Sequence, residues 1–238
     1  MTSLSVNINK LATLRNSRGG NVPDLIASAR DIESFGAQGI TIHPRPDQRH
    51  IRYQDARDLR EVVTTEFNIE GNPVPKFIDL VLEVRPTQVT LVPDSNDAIT
   101  SNAGWDTLKH KDFLREVIQE FKAQGIRTSI FVDPVVEMVE GAAICGTHRV
   151  ELYTESYALG HAKGQGEKAV APFARAAETA HSQGLGVNAG HDLSLQNIRF
   201  FKESVPHLLE VSIGHALICE SLYMGLENVV NMYLHRLK

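Results

Sequence analysis

The chain has 238 residues, 42% hydrophobic and 22% charged, with a formal net charge of -5 at pH 7, a globular composition that excludes disorder, collagen-like repeats and coiled coil. The acidic balance and the lack of a long Lys/Arg run argue against a nucleic-acid or acidic-membrane binder and leave small molecules as the expected partners. Two cysteines outside any CxxC, Cys145 and Cys219, no apolar run near about eighteen residues, and an opening Met1–Leu4 without signal-peptide character lead us to expect a cytoplasmic protein with reduced thiols.

In chain order, a Val/Ile-rich strand is expected at 4–9, a polar loop at 10–22, and an amphipathic helix at 23–37 that stops on a glycine. A strand at 39–44 and a polar loop at 44–53 follow, then a helix at 55–66 and strands at 67–71 and 88–93. A long loop at 94–108 leads to a helix at 111–125, strands at 127–133 and 149–154, and a fourth long loop at 155–167. That last loop carries Gly160, Gly164 and Gly166, and we read it as a lid. A helix at 168–184, strands at 184–190 and 210–216, and a helical stretch at 217–237 complete the chain. Eight strands alternating with eight helical segments match the count and size of a single-domain (β/α)8 TIM barrel over 1–238, whereas a doubly wound sheet needs fewer strands.

Alternation along these strands separates two faces. One parity is apolar, with Val6, Ile40, Ile42, Val89, Leu91, Val150, Leu152, Val187, Val211 and Ile213, and should face the helices. The other carries Asn7 and Asn9, Thr41 and His43, Asn68 and Glu70, Thr90, Ser129, Glu151 and Tyr153, Asn188 and Ser212. A polar lumen of this kind suggests a ligand site, the alternative being a hydrogen-bond network that satisfies itself.

His43, Glu70, Glu151 and His191 converge at the expected catalytic face, a proton-transfer set suited to a carbonyl substrate at neutral pH. Gly190 before His191, and Gly214 before His215, end strands seven and eight, where barrels hold phosphate on backbone N–H groups and a helix N-terminus. Lys10, Arg15 and Arg18 after the first strand, and Arg45, Arg49, His50 and Arg52 after the second, give two cationic loops, as two phosphorylated substrates would need. No metal spacing, CxxC, HExxH or P-loop occurs, so no metal is expected. Lys10 is a candidate Schiff-base lysine, disfavoured because it falls one step past the inward-facing Asn9. Another cofactor-free phosphosugar isomerase or aldolase, or a silent metabolite-binding barrel, remain the alternatives.

The segments VNINKLATLRNSRGG (6–20), GITIHPRPDQRHI (39–51), FNIEG (67–71), TLVPD (90–94), ITSNAGWD (99–106), VELYT (150–154), GLGVNAGHDL (184–193) and SIGHALI (212–218) resemble the pyridoxine 5′-phosphate synthase family of vitamin B6 biosynthesis, nearly end to end. The resemblance implies a (β/α)8 barrel, usually an octamer, with no cofactor, that condenses 3-amino-2-oxopropyl phosphate with 1-deoxy-D-xylulose 5-phosphate. It implies His43 and Glu70 as general acid/base groups, His191 as proton donor, and Glu151 as the carboxylate that stabilises charged intermediates. It further implies that Asn7, Arg18, Gly214 and His215 contact the amino-ketone phosphate, and Arg45, His50 and Thr100 the deoxyxylulose phosphate. Two departures from the family pattern involve three substrate-binding positions: Asn9-Lys10 stands where Asp-His is usual, and Asp192 stands where Gly usually follows the catalytic His.

Overall fold

The computed structural model describes residues 2–94 and 103–238. Strands β1 (Ser3–Asn7), β2 (Gly39–Ile42), β3 (Glu66–Gly71), β4 (Gln88–Leu91), β5 (Arg127–Val132), β6 (Arg149–Tyr153), β7 (Gly186–Gly190) and β8 (Leu208–Ile213) pair in sequence order. All pairings are parallel, and β1 closes the barrel on β8 through Leu4 opposite Val211 and Val6 opposite Ile213.

Local chemistry sets the helix ends. After α1 (Asn9–Asn16), helix α2 (Leu25–Ser34) starts where Asp24 Oδ1 accepts the backbone N–H groups of Ile26 at 2.8 Å and Ala27 at 3.1 Å. Helices α3 (Tyr53–Arg60) and α4 (Pro75–Val84) follow, the second with Pro in its first turn, where a missing N–H costs nothing. Then come α5 (Lys111–Ala123), α6 (Val136–Cys145), α7 (Glu155–Ala162), α8 (Gly166–Ser182) and α9 (Ile198–Ser204). The expected stretch 217–237 is two helices, α10 (His215–Met224) and α11 (Leu226–Arg236), because Gly225 at φ 82° breaks the ladder between them.

The apolar parity faces the helices as expected: Val6, Ile40, Ile42, Val89, Leu91, Val150, Leu152, Val187, Val211 and Ile213 are fully buried. Each such side chain contributes about 1.5–3 kcal/mol by leaving water. Two expected loops hold helices instead. Residues 10–16 lie in α1, and 155–162 form α7, whose apolar residues do not repeat at a helical period. The lid reading of 155–167 is thereby corrected: the Tyr157 hydroxyl, fully buried, donates to the Asn197 carbonyl at 2.7 Å, and α7 packs on α8 so closely that a Cβ on Gly160 would collide with Ala169.

The polar lumen divides into layers. At the bottom, Arg149 pairs with Glu210 at 3.2 Å and Arg127 with Glu66, while Arg127 Nε donates to Gln88 at 2.9 Å. Above them, Ser5 and Thr41 hydroxyls meet at 2.7 Å, Asn68 donates to Thr41 at 3.3 Å, and Thr90 donates to Asn68 at 3.1 Å. Most polar groups of these two layers bond to one another, so the self-contained network holds in part of the lower barrel, but Gln88 Nε2, Ser129 Oγ and Asn188 Nδ2 are buried without a hydrogen-bond partner. His43, Glu70 and His191 lie toward the C-terminal ends of the strands.

Candidate active site

His43 is the first residue past β2, and its place is set from β1. Strand β1 ends at Asn7, so Asn9 opens α1 rather than pointing inward from a strand. The Asn7 side chain accepts the Asn9 N–H at 3.0 Å, and Asn9 Oδ1 accepts the His43 N–H at 2.9 Å. Lys10, next on α1, is half-buried at the rim. Glu70, near the end of β3, is 4% exposed, receives a hydrogen bond from Asn7 Nδ2 at 3.4 Å, and lies 3.9 Å from His43 Nδ1.

Burial biases these groups toward their neutral forms. Burial, then the charges of Glu151, Asp94 and Glu210, push the Glu70 carboxyl well above the usual carboxylate range, against a hydrogen bond from Ser212. Glu151 is raised to about 7 by burial, against a hydrogen bond from Thr90. Burial, then Arg45, drive His43 well below 6.5 and bring His191 down to about 4. Burial thus favours the protonated form of Glu70 beside neutral imidazoles, with Glu151 divided between its two forms near neutral pH, so acids and bases can coexist there.

His191 follows β7 with φ 88°, a sparsely populated conformation for a residue with a Cβ. Its ring lies 4.8 Å from Phe131 and meets Tyr153 edge-on at 5.4 Å, which fixes its direction. Gly190 must lack a side chain, because a Cβ would run into the Glu151 carboxylate. Gly214 likewise lets the start of α10 approach β1, with a Cβ there 3.1 Å from that of Asn7. His215 is exposed in the first turn of α10, which lies beside α1, the helix that leads to exposed Arg18.

The second cationic rim is assembled from β2 and α1. Arg45 is 5% exposed and ion-paired with Asp94 at 2.6 Å. His50 is held down to about 4 by burial, then by Arg45, Lys10 and Arg49, of which Arg45 pairs with Asp94 and Arg49 with Asp47. Arg15 is corrected from a ligand-facing cation to a structural one. Its guanidinium is buried, forked onto Asp55 at 2.7 and 2.8 Å, and donates to the His50 carbonyl at 3.2 Å. Asn16 also donates to that carbonyl, at 2.8 Å, so the end of α1 clamps the loop that carries His50.

Asp192 is exposed; its N–H donates to Thr154 Oγ1 at 3.2 Å and its carbonyl accepts from Asn197 at 3.1 Å. Thr100 lies outside the described residues. Among the described residues, no group of three or more His, Cys, Asp or Glu side chains is arranged to hold a metal ion. A surface groove of about 640 Å³ runs along α11, past Met224, Asn228 and Met232, and gathers no set of titratable groups like this one. Sequence reasoning passed over Asp94, which ends the TLVPD segment and stands in the midst of the site.

The family model described as pyridoxal phosphate biosynthesis protein PdxJ matches residues 4–238. The chain belongs to the PdxJ family. It is 69% identical to the pyridoxine 5′-phosphate synthase of Flavobacterium johnsoniae and 60% identical to that of Bacteroides fragilis, each over 238 residues covering 100% of both chains. The PdxJ barrel is also similar in fold to a phosphoribosyl anthranilate isomerase from Thermotoga maritima, at TM-score 0.63 and 14% identity over 100% of this chain and 98% of that one. A Pyrococcus furiosus N-(5′-phosphoribosyl)anthranilate isomerase gives 0.63 at 11% identity, with 100% and 98% covered. At such identities the likeness concerns the barrel alone. Membership of the PdxJ family makes the chain an enzyme of pyridoxine 5′-phosphate synthesis and sets aside a silent metabolite-binding barrel.

Proposed function

We propose that this barrel condenses 3-amino-2-oxopropyl phosphate with 1-deoxy-D-xylulose 5-phosphate, releasing phosphate and water and closing the pyridine ring of pyridoxine 5′-phosphate. The observation that carries the reading is the approach of two buried groups, the Glu70 carboxyl and the His43 imidazole, to 3.9 Å between two cation-bearing rims, with burial favouring the neutral form of each. Asn7, Arg18, Asp192, Gly214 and His215 would take the amino-ketone phosphate at the start of α10. Arg45, His50, Lys10, Asn9 and Thr100 would take the sugar phosphate.

The amine attacks the ketone, and Glu70 protonates the departing hydroxyl as the imine forms. His43 then removes protons from carbon next to the carbonyl, as expulsion of the sugar phosphate and ring closure require. Glu151, raised only to about 7 and so able to ionise near neutral pH, stabilises the cationic intermediates in its ionised form. His191 protonates leaving oxygen; burial, then Arg45, lower its affinity for a proton, and bound phosphates raise it by offsetting the Arg45 charge and by their own negative charge. No step calls on a cofactor or metal.

Assembly into a homo-oligomer, an octamer by the family resemblance, and a cytoplasmic location complete the proposal. Leu222 and Tyr223 at the end of α10, 70% and 92% exposed, are apolar surface that assembly would cover. The test is an omission experiment. Pyridoxine 5′-phosphate should form only when both substrates are present, and His43→Gln and His191→Asn should bind both yet turn over at least about 10²-fold more slowly. Product from either substrate alone, or undiminished turnover in both variants, contradicts the proposal.

A further inference from the structure

The chemistry above makes no use of Asp94, although its side chain is only 5% exposed and stands where the two halves of the site meet. One oxygen, Oδ2, lies 2.6 Å from Arg45 Nη2 and 3.8 Å from His43 Nε2. The Asp94 main chain is pinned as well, since Asn72 Nδ2 donates to its carbonyl at 2.7 Å. On the other side of the imidazole, Nδ1 faces Glu70 Oε2 at 3.9 Å. The ring of His43 is thus bracketed by two carboxyl groups, one at each nitrogen.

The two carboxyls are not equivalent. Burial favours the protonated form of Glu70, which lines the lumen, whereas Asp94 sits against the Arg45 guanidinium, which favours its ionised form. A carboxylate beside one ring nitrogen draws the single proton of a neutral imidazole to that nitrogen and leaves the other as the base. Here the base would be Nδ1, the nitrogen that faces Glu70 and the reacting centre. A separation of 3.8 Å is a charge contact rather than a hydrogen bond, and catalytic contacts of this kind close up when substrate binds.

We propose that Asp94 is a positioning residue for the proton transfers. It fixes His43 with its proton on Nε2 and its lone pair on Nδ1, and it stabilises the imidazolium formed when Nδ1 takes a proton from substrate carbon. The proton taken from carbon resides on Nδ1 until it is returned to leaving oxygen or to water, and Asp94 stays ionised throughout. Arg45 joins this function to the sugar-phosphate rim: a phosphate that draws on the Arg45 guanidinium loosens its hold on Oδ2, which is then available to close on Nε2. The inference deepens the proposed function and rests on His43 being its base.

Among the described residues, the charged and titratable groups that face His43 are Glu70 from β3, Asp94 just past β4, Arg45, Arg49 and His50 from its own loop, and His191 from the end of β7. Asp94→Asn removes only the charge. It is expected to lower kcat by about 10²-fold or more, with a smaller rise in KM for the sugar phosphate, and to move the acid limb of kcat/KM to lower pH, because the imidazolium loses its counter-charge. Asp94→Glu, which restores the charge, should recover part of kcat and the position of that limb. An unchanged kcat and pH profile with raised KM alone would show that Asp94 merely holds Arg45, and would overturn the inference.

A readout independent of turnover separates this from failure of the functional reading. In protein carrying ¹⁵N-labelled histidine, the His43 signals, assigned by their loss in His43→Gln, should report a proton on Nε2 in the parent chain and a redistribution toward Nδ1 in Asp94→Asn. The same ring signals in both proteins would refute the positioning role, whatever the substrates of the enzyme. Absence of product from the unsubstituted enzyme would refute the functional reading alone.

Discussion

Glu151→Gln should make the protein more resistant to unfolding in alkali than in acid, relative to the parent chain, while it slows the enzyme. Glu151 is 1% exposed and its carboxyl is raised from 4.5 to about 7 by burial. Between those values the folded state binds a proton that the unfolded chain releases, so its stability falls as pH rises through the folded value. Above about pH 7 the deficit approaches about 3 kcal/mol, at roughly 1.4 kcal/mol for each tenfold change in proton affinity. The unfolded carboxyl is already partly ionised at about pH 5, so the difference between about pH 5 and about pH 8 is about 2–3 kcal/mol. Glutamine cannot ionise and escapes that loss, but its amide N–H groups face a lumen without a matched acceptor and cost about 1–3 kcal/mol at every pH. Urea unfolding of the two proteins at the two pH values isolates the effect, because the amide cost cancels between them. A pH-dependent gain under about 1 kcal/mol would refute the argument that burial holds this carboxyl protonated.

Glu70→Gln keeps the shape of the side chain and removes its transferable proton; kcat should fall about 10²-fold or more with little change in either KM, and near-parental turnover would remove Glu70 from the mechanism. Arg15→Met leaves the half-buried Asp55 with the Arg52 N–H but without its ion-pair partner and should cost about 3 kcal/mol in urea unfolding, with a raised KM for the sugar phosphate as the clamp on His50 loosens. A loss under about 1 kcal/mol would show the pair to be solvent-screened. Lys10→Met should raise KM for the sugar phosphate about 10-fold, with a much smaller effect on kcat, and borohydride should trap no adduct at Lys10. A covalent adduct there by mass spectrometry would favour an aldolase-like course.

Much of this was legible in the sequence because barrel strands repeat one simple rule. The alternation of Val89, Thr90 and Leu91, or of Val150, Glu151 and Leu152, declares both the strand and the side of the barrel that each residue faces. His43, Glu70, Glu151 and His191 could be placed at one end of the barrel because strand ends gather there whatever the loops between them do. Residues whose roles depend on contacts between distant segments were harder to read. Arg15 looked like another rim cation, and nothing in its neighbourhood in sequence reveals Asp55, 40 positions away. Asn9 looked like a strand residue because β1 gives way to α1 without a turn signal, and α7 was hidden by a lack of amphipathic period. The polarity of Asn68 and Thr90 did not reveal that they bond to each other rather than to a ligand. Asp94, by contrast, had a signal: it is a carboxylate just past the end of a barrel strand, as Glu70 is a carboxylate near one.

Whether this site closes a pyridine ring by proton transfer alone is tested most directly by a stoichiometric time course in the presence of a chelator. The purified protein, treated with EDTA and given both substrates, should form pyridoxine 5′-phosphate and inorganic phosphate in a one-to-one ratio at an undiminished rate. Phosphate release without the pyridine product, or activity that EDTA abolishes and a divalent ion restores, would contradict ring closure by proton transfer alone.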